Sequence, residues 1–182
     1  MTTLSHPRLA EIAAYLATVR ANLAEVIAST PAERLNAPAA EGEWNGAQIL
    51  QHLGKVEGST AKYLEGILAA SVAAGIASEA NTSSLLHALD RFKQGDGTLP
   101  KFIAPDRLRP DPAPDAAACW VSLQAARERV LKVYATVDGR DLTTVAAPHP
   151  RLGTLNAYEW LLFLGVHEAC HVDQLRRALA TA

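Results

Sequence analysis

The chain has 182 residues, of which 49% are hydrophobic and 20% charged, with a formal net charge of −2. These values are typical of one soluble globular domain, and without a basic cluster the chain is a poor candidate for binding nucleic acid. The two cysteines, Cys119 and Cys170, lie outside any Cys-x-x-Cys pattern, and no apolar run reaches the roughly 20 residues of a membrane span, so we expect a cytoplasmic protein without disulfides or membrane contact.

The N-terminal segment predicts a first long helix. Its start lacks the basic and apolar regions of a signal peptide. Ser5 can cap the helix, Pro7 suits an early helical position, and Pro31 ends it. One apolar stripe follows the spacing of three and four that marks an amphipathic helix: Leu9, Ile12, Ala13, Leu16, Val19, Leu23, Val26 and Ile27.

A second long helix is predicted from Asn45 to about Ala74. Asn45 is an N-cap, Gln48 completes a capping box, and Gly75 can end the helix. His52 lies on the buried stripe of this helix, next to Leu53, so its side chain should point inward.

The connection that follows, residues 78–114, is predicted to be mostly irregular. Residues 83–92 can form a short helix, Gly95-Asp96-Gly97 forms a turn, and five prolines between Pro100 and Pro114 prevent regular structure. Long connections of this kind are often functional or cover one edge of the core.

Two further long helices complete the chain. One begins at Asp115 and closes at Gly139, and the last opens at Asn156 with Glu159 completing another capping box. Alternation at period two is absent, so no strand is predicted. The fold prediction is all-α, a four-helix bundle in a single domain, 1–182, with an elaborated connection between the second and third long helices.

Three histidines are predicted to face the core of this bundle. His167 and His171 are one helical turn apart on the last helix, where their side chains stand one above the other, and His52 is the best third partner. Three unpaired imidazoles in one core would each cost about 1–3 kcal/mol, so a shared cation is the most economical explanation. Three protein ligands with one open position are typical of catalytic zinc.

The residues near these histidines have plainer interpretations. Glu168 is a weak candidate for a general base or an orienting partner, but a charged residue paired at the edge of the bundle is favoured; Glu57 is solvated or paired. Cys170 is interpreted as a small core residue. His149 is interpreted as part of a Pro-flanked turn, with a role at the mouth of a pocket as the alternative. The remaining histidines, His6 and His87, are placed at the surface. The larger aromatics are placed in the core, with the lining of a pocket as the alternative: Trp44, Trp120, Trp160 and Tyr158.

Two blocks of this sequence resemble the DinB/YfiT-like superfamily: residues 44–53, WNGAQILQHL, and residues 149–175, which run from His149 through the two histidines of the last helix to Gln174-Leu175. The resemblance implies a four-helix bundle, often a homodimer, with a divalent metal held by His52, His167 and His171. Imidazole ligands suit several metals, of which zinc or nickel is expected.

The resemblance also implies an activity, because some relatives are transferases or isomerases that depend on a low-molecular-weight thiol. The expected function is therefore a metal-dependent enzyme, acting on a small-molecule substrate, in which the metal activates a small thiol. A hydrolase that activates water is the nearest variant. A metal- or ligand-binding stress protein without turnover and a metal-free structural bundle are the alternatives, and the sequence does not separate them.

Overall fold

The computed structural model describes residues 3–95, 100 and 102–180. Within these ranges, four long α-helices, one short α-helix and one β-hairpin form the architecture. The elements in chain order are α1 (Pro7–Ala28), α2 (Ala32–Asn36), α3 (Gly46–Ala73), α4 (Ala116–Ala135), β1 (Ala146–His149), β2 (Gly153–Asn156) and α5 (Ala157–Ala180).

The four long helices pack as a bundle, which confirms the predicted fold. Helix α3 packs along α4 and also against α5, and α1 packs along α5. The core is filled from all four helices, for example by Leu16, Leu64, Val130 and Leu161. In the described ranges, no helix is both long and apolar enough to cross a membrane.

Both predicted capping boxes are present. The Asn45 side chain accepts from the backbone N–H of Gln48, whose side chain accepts in return from the backbone N–H of Asn45, at 2.9 and 3.0 Å. Asn156 and Glu159 form the same reciprocal pair at 2.9 and 3.0 Å. These caps satisfy N–H groups that the helix cannot, and so fix where α3 and α5 begin.

Two other predicted helix ends were wrong. Ser5 does not cap α1: its backbone N–H and its hydroxyl both donate to Asp138 Oδ2 at 2.6 Å, and His6 takes the cap position without a side-chain bond. Helix α4 ends at Ala135, and Gly139, with φ +76°, shapes the turn beyond it. The N-terminus is therefore tied to the turn after α4.

The prediction that no strand forms was also wrong. Strands β1 and β2 pair antiparallel, with Ala147 opposite Leu155 and Pro148 opposite Thr154. Each strand is four residues long, too short for alternation to stand out. A proline is tolerated because the sheet has two strands and each leaves one edge unpaired. The indole N–H of Trp160 donates to the Ala147 carbonyl at 3.1 Å and so ties the hairpin to α5.

The connection before α4 lies across α3. The helix predicted over 83–92 is reduced to turns and a 3₁₀ turn at Asp90–Phe92, and α2 was not predicted. Asp96 and Gly97, in the predicted turn Gly95-Asp96-Gly97, lie outside the described residues. We call residues 102–111 the strap. The Asp111 N–H donates to the Gln51 side chain at 2.6 Å, and Lys55 Nζ donates to the Arg109 carbonyl at 2.8 Å.

Candidate metal centre

The three predicted histidines meet between α3 and α5. The Nε2 atom of His167 lies 3.3 Å from Nε2 of His52 and 3.2 Å from Nε2 of His171. One ligand atom of each histidine lies within 4.8 Å of the other two. Tetrahedral coordination at Zn–N distances of about 2.0–2.1 Å separates the nitrogens by about 3.3–3.4 Å. The spacing of the imidazoles therefore fits a divalent cation.

Hydrogen bonds at the far side of two rings fix their tautomers. His52 Nδ1 lies 2.8 Å from the Leu108 carbonyl in the strap, and His171 Nδ1 lies 2.7 Å from Gln174 Oε1. A carbonyl can only accept, so both Nδ1 atoms carry the proton and both Nε2 atoms hold a lone pair. Such partners orient metal-binding histidines and raise their basicity.

This arrangement leaves the three Nε2 atoms incompletely bonded to one another. His167 Nε2 faces the lone pairs of His52 and His171, and a single N–H on His167 can donate well to only one of them. With the proton of His167 on Nδ1 instead, each of the three Nε2 atoms would offer a lone pair to a cation at the centre.

The site also keeps its imidazoles neutral, which is the form that binds a metal. His52 is 5% exposed, and His167 and His171 are half-buried. Burial lowers the pKa of His52 and, together with the repulsion from His52, lowers the pKa of His171 to about 4. Burial and the neighbouring histidines hold the pKa of His167 well below its usual range. At pH 7 no proton competes with a cation.

Aromatic rings enclose the three histidines. Trp44 lies against His52, with ring centroids 4.9 Å apart, and stacks beside His171 at 6.3 Å. Phe163 stacks on His167 at 5.4 Å. Trp160 and Tyr158 are buried in the core, as predicted. Trp44 is half-buried: it packs against the core and also lies beside two of the histidines, as its alternative interpretation had it.

Glu168 faces away from the histidines. The segment His167-Glu168-Ala-Cys-His171 matches the H-E-x-x-H pattern of zinc metalloproteases, in which the glutamate is the general base. Here Glu168 is fully buried and accepts from Arg20 Nε at 2.6 Å and Arg127 Nη2 at 2.5 Å. In the described part of the chain it has no hydrogen bond to a histidine. It is paired as predicted, but in the core of the bundle and not at its edge.

Glu57 completes a buried ionic cluster with these residues. It accepts from Arg20 at 2.8 Å and from Arg127 at 2.6 and 2.9 Å, and it is 2% exposed. The cluster, which we call the ionic quartet, takes one residue from each long helix: Arg20, Glu57, Arg127 and Glu168. The sequence left open whether Glu57 is solvated or paired, and in the structure it is paired.

The predictions for one cysteine and three further histidines can also be compared with the structure. Those for Cys170 and His6 were wrong, and those for His87 and His149 were confirmed. Cys170 is exposed because it lies on the outer side of α5, and His6 is half-buried beside the turn after α4. His87 is exposed as predicted. His149 is the last residue of β1, and its Nδ1 accepts from the backbone N–H groups of residues 151 and 152 in the turn that follows.

Three partners of the site were not identified from the sequence. Gln174 and Arg127 had a detectable signal: Gln174 follows His171 at the helical spacing of three, and Arg127 occupies the apolar stripe between Leu123 and Val130. The Leu108 carbonyl had none, because every residue carries a backbone carbonyl.

Comparison with known proteins gives three matches. The family model of the DinB superfamily matches residues 15–175. An uncharacterized protein of Bacillus subtilis, YuaE, is 28% identical over 148 residues, which cover 79% of this chain and 82% of that protein. The crystal structure of TT2238, described as a four-helix bundle protein, has a TM-score of 0.61 at 21% identity over 92% of this chain and 97% of that chain. The structural match shows the shared fold.

Proposed function

We propose that this chain is a divalent-metal-dependent enzyme that activates a small thiol for attack on an electrophile. The chain belongs to the DinB superfamily, and it brings three imidazoles together. The observation that supports the proposal most directly is the convergence of three histidine Nε2 atoms, with His167 Nε2 at the separation of metal ligands from the other two. Zinc or nickel is the proposed metal, because imidazole binds both well.

The chain's own residues would hold and orient the cation. His52, His167 and His171 supply three ligands, and the Leu108 carbonyl and Gln174 keep two of the rings in the binding tautomer. A cation held by three protein ligands keeps an open position, and when bound it lowers the pKa of a coordinated thiol or water. Trp44 and Phe163 place apolar rings against His52 and His167.

The surroundings of the histidines favour a thiol over water as the activated group. Hydrolysis by an activated water normally uses a nearby base to take its proton. Glu168 follows His167 directly and Glu57 lies five residues after His52, and both buried carboxylates are engaged by Arg20 and Arg127. A thiol ionises more readily than water, so it needs no such base.

The first test is the metal content of protein purified without a metal-affinity tag, compared with His167→Ala. His87→Ala is the matched control because His87 is an exposed histidine away from the site. We expect close to one metal per chain in the parent and in His87→Ala, and at least a tenfold loss in His167→Ala, measured by plasma mass spectrometry. The proposal fails if the parent binds neither zinc nor nickel after incubation with each.

The second test is catalysis. The metal-loaded protein is mixed with a small thiol and 1-chloro-2,4-dinitrobenzene; a C–S bond forms, the C–Cl bond breaks, chloride leaves and the thiol proton goes to buffer. We expect a rate that depends on metal and is lost in His167→Ala. Full metal content without turnover for a panel of thiols and electrophiles would favour the alternative, a metal- or ligand-binding protein without turnover.

A further inference from the structure

His149 is a fourth histidine near the candidate metal centre. It belongs to β1, and its ring packs against the face of α5 that carries His167. Its ring packs against Trp160, with centroids 4.8 Å apart, and against the edge of Phe163 at 4.5 Å. Phe163 in turn stacks on His167, four residues further along the helix. His149 therefore lies about one helical turn, roughly 5.4 Å, nearer to the start of α5 than His167 does.

The turn after β1 fixes which nitrogen of His149 carries the proton. Nδ1 accepts two backbone N–H groups, from Arg151 at 3.2 Å and from Leu152 at 3.1 Å, so it must hold a lone pair. Burial lowers the pKa of His149 to about 4, which keeps the ring neutral at pH 7. A neutral ring with a bare Nδ1 carries its only proton on Nε2.

This Nε2–H is free to bind a small molecule. Within the described ranges, no protein group accepts a hydrogen bond from it. This nitrogen is not a fully buried atom without a partner, so solvent reaches it. Phe163 contacts both rings, at 4.5 Å from His149 and 5.4 Å from His167, so the centroids of the two imidazoles are less than about 10 Å apart. An acceptor on a molecule held by the three histidines can therefore reach it.

We propose that the His149 Nε2–H donates a hydrogen bond to a carbonyl or carboxylate oxygen of a small molecule held at the three-histidine centre. This inference rests on the proposed function and narrows its substrate class. The molecule binds the cation through one end, for example a thiol sulfur, and carries its oxygen acceptor two or three carbon atoms away. The apolar rings of Trp160 and Phe163, which pack against His149, suit an unbranched carbon spacer between the two ends.

The test compares two probe thiols on protein loaded with Co²⁺, whose visible spectrum reports ligand binding. The first probe is 3-mercaptopropionate, which has a thiol and a carboxylate, and the second is 1-propanethiol, which lacks the acceptor. We expect the parent to bind 3-mercaptopropionate at least tenfold more tightly than 1-propanethiol, since hydrogen bonds to charged groups are the stronger ones.

Two variants separate the donor from the turn. His149→Asn keeps an oxygen near the position of Nδ1 for the backbone N–H groups but has no atom at Nε2, and His149→Gln places an amide N–H near Nε2. We expect His149→Asn to lose the preference for 3-mercaptopropionate while it keeps its Co²⁺ content and its affinity for 1-propanethiol. His149→Gln should restore part of the preference.

The outcomes distinguish this proposal from the one it rests on. If the parent takes up Co²⁺ but binds both probes equally, or if His149→Asn weakens both probes alike, the role of His149 is wrong and the metal centre stands. If the parent takes up no Co²⁺, zinc or nickel, both proposals are overturned. The melting temperature of His149→Asn shows whether this variant is folded. If it is not, His149→Gln and the two-probe comparison in the parent test the proposal.

Discussion

Glu57 and Glu168 are carboxylates that can stay buried because two guanidinium groups reach both of them. Each carboxylate pairs with Arg20 and with Arg127, so the ionic quartet has two positive and two negative charges and no net charge. The Nη1 group of each arginine also has an acceptor: Arg20 donates to the Leu123 carbonyl and Arg127 to the Leu16 carbonyl. A buried charge is tolerated only under such conditions.

Loss of one charge from the ionic quartet should destabilise the protein strongly. In Glu57→Gln the two arginines keep a buried excess positive charge, and we expect a loss of about 3–5 kcal/mol in the free energy of unfolding, measured by urea denaturation. Glu65→Gln is the matched control, because Glu65 also pairs across α3 and α4, with Arg129, but is 56% exposed. It should cost less than about 1 kcal/mol. Similar losses for both variants would contradict this account.

At the scale of single residues, the sequence predicts the three histidines more readily than their surroundings. His52, His167 and His171 share a helical spacing with apolar neighbours, so their inward direction can be inferred. The direction of the Glu168 side chain cannot be inferred in the same way. Glu168 follows His167 directly, and its burial depends on arginines from α1 and α4 that are far away in the sequence.

Helices α1 and α5 approach each other closely at Gly165. A Cβ atom at this position would lie 2.7 Å from Tyr15 Cε1 and 3.0 Å from Leu16 Cδ1. The first contact is shorter than real Cβ atoms show and the second is very tight, so a larger residue requires the Tyr15 and Leu16 side chains to shift. The glycine is thus explained by helix packing, because a helix interior otherwise disfavours glycine.

Gly165→Ala should therefore lower stability, although alanine is the better helix former. We expect a loss of about 1–3 kcal/mol from overpacking, measured by thermal and urea unfolding. Gly58→Ala is the control: Gly58 lies inside α3 and a Cβ there meets no atom within 4 Å. That variant should gain about 0.5–1 kcal/mol. A stabilised Gly165→Ala would show that α1 and α5 are not held at this distance.

Local signals predict the long elements well and the short ones poorly. Helices α3 and α5 carry both an apolar stripe and a capping box, and both caps form where they were predicted. The hairpin and α2 carry too few residues for a period to be visible. Their conformation depends on contacts with distant parts of the chain, such as the bond from Trp160 to Ala147 and the burial of Leu35.

The whole molecule should lose stability in mild acid when it holds no metal. The pKa values of His149 and His171 are lowered to about 4 by burial, whereas an unfolded histidine titrates near 6.5. The unfolded chain therefore binds more protons between these values, so stability is fully present above about pH 6.5 and falls as the pH drops towards 4. Each of these histidines contributes a slope of about 1.4 kcal/mol per pH unit within that window.

The slope can be measured by urea denaturation of the metal-free protein from pH 7.5 to 4. His149→Phe keeps an aromatic ring but removes one titrating group, so its slope near pH 5 should be smaller by about 1.4 kcal/mol per pH unit. His87→Ala removes a histidine that is exposed in the folded protein and should leave the slope of the parent unchanged. A parent without any slope in this window would contradict the burial of these rings.

The strap reaches His52 through its main chain, and this affects which genetic changes the centre can tolerate. The acceptor for His52 is the carbonyl of residue 108, so its chemistry is the same whichever amino acid stands there. A missense change at 108 would alter only the packing of the side chain. A codon inserted or deleted between 102 and 111 would shift every carbonyl of the strap relative to α3. Over evolutionary time, we expect this segment to drift in sequence while its length is kept.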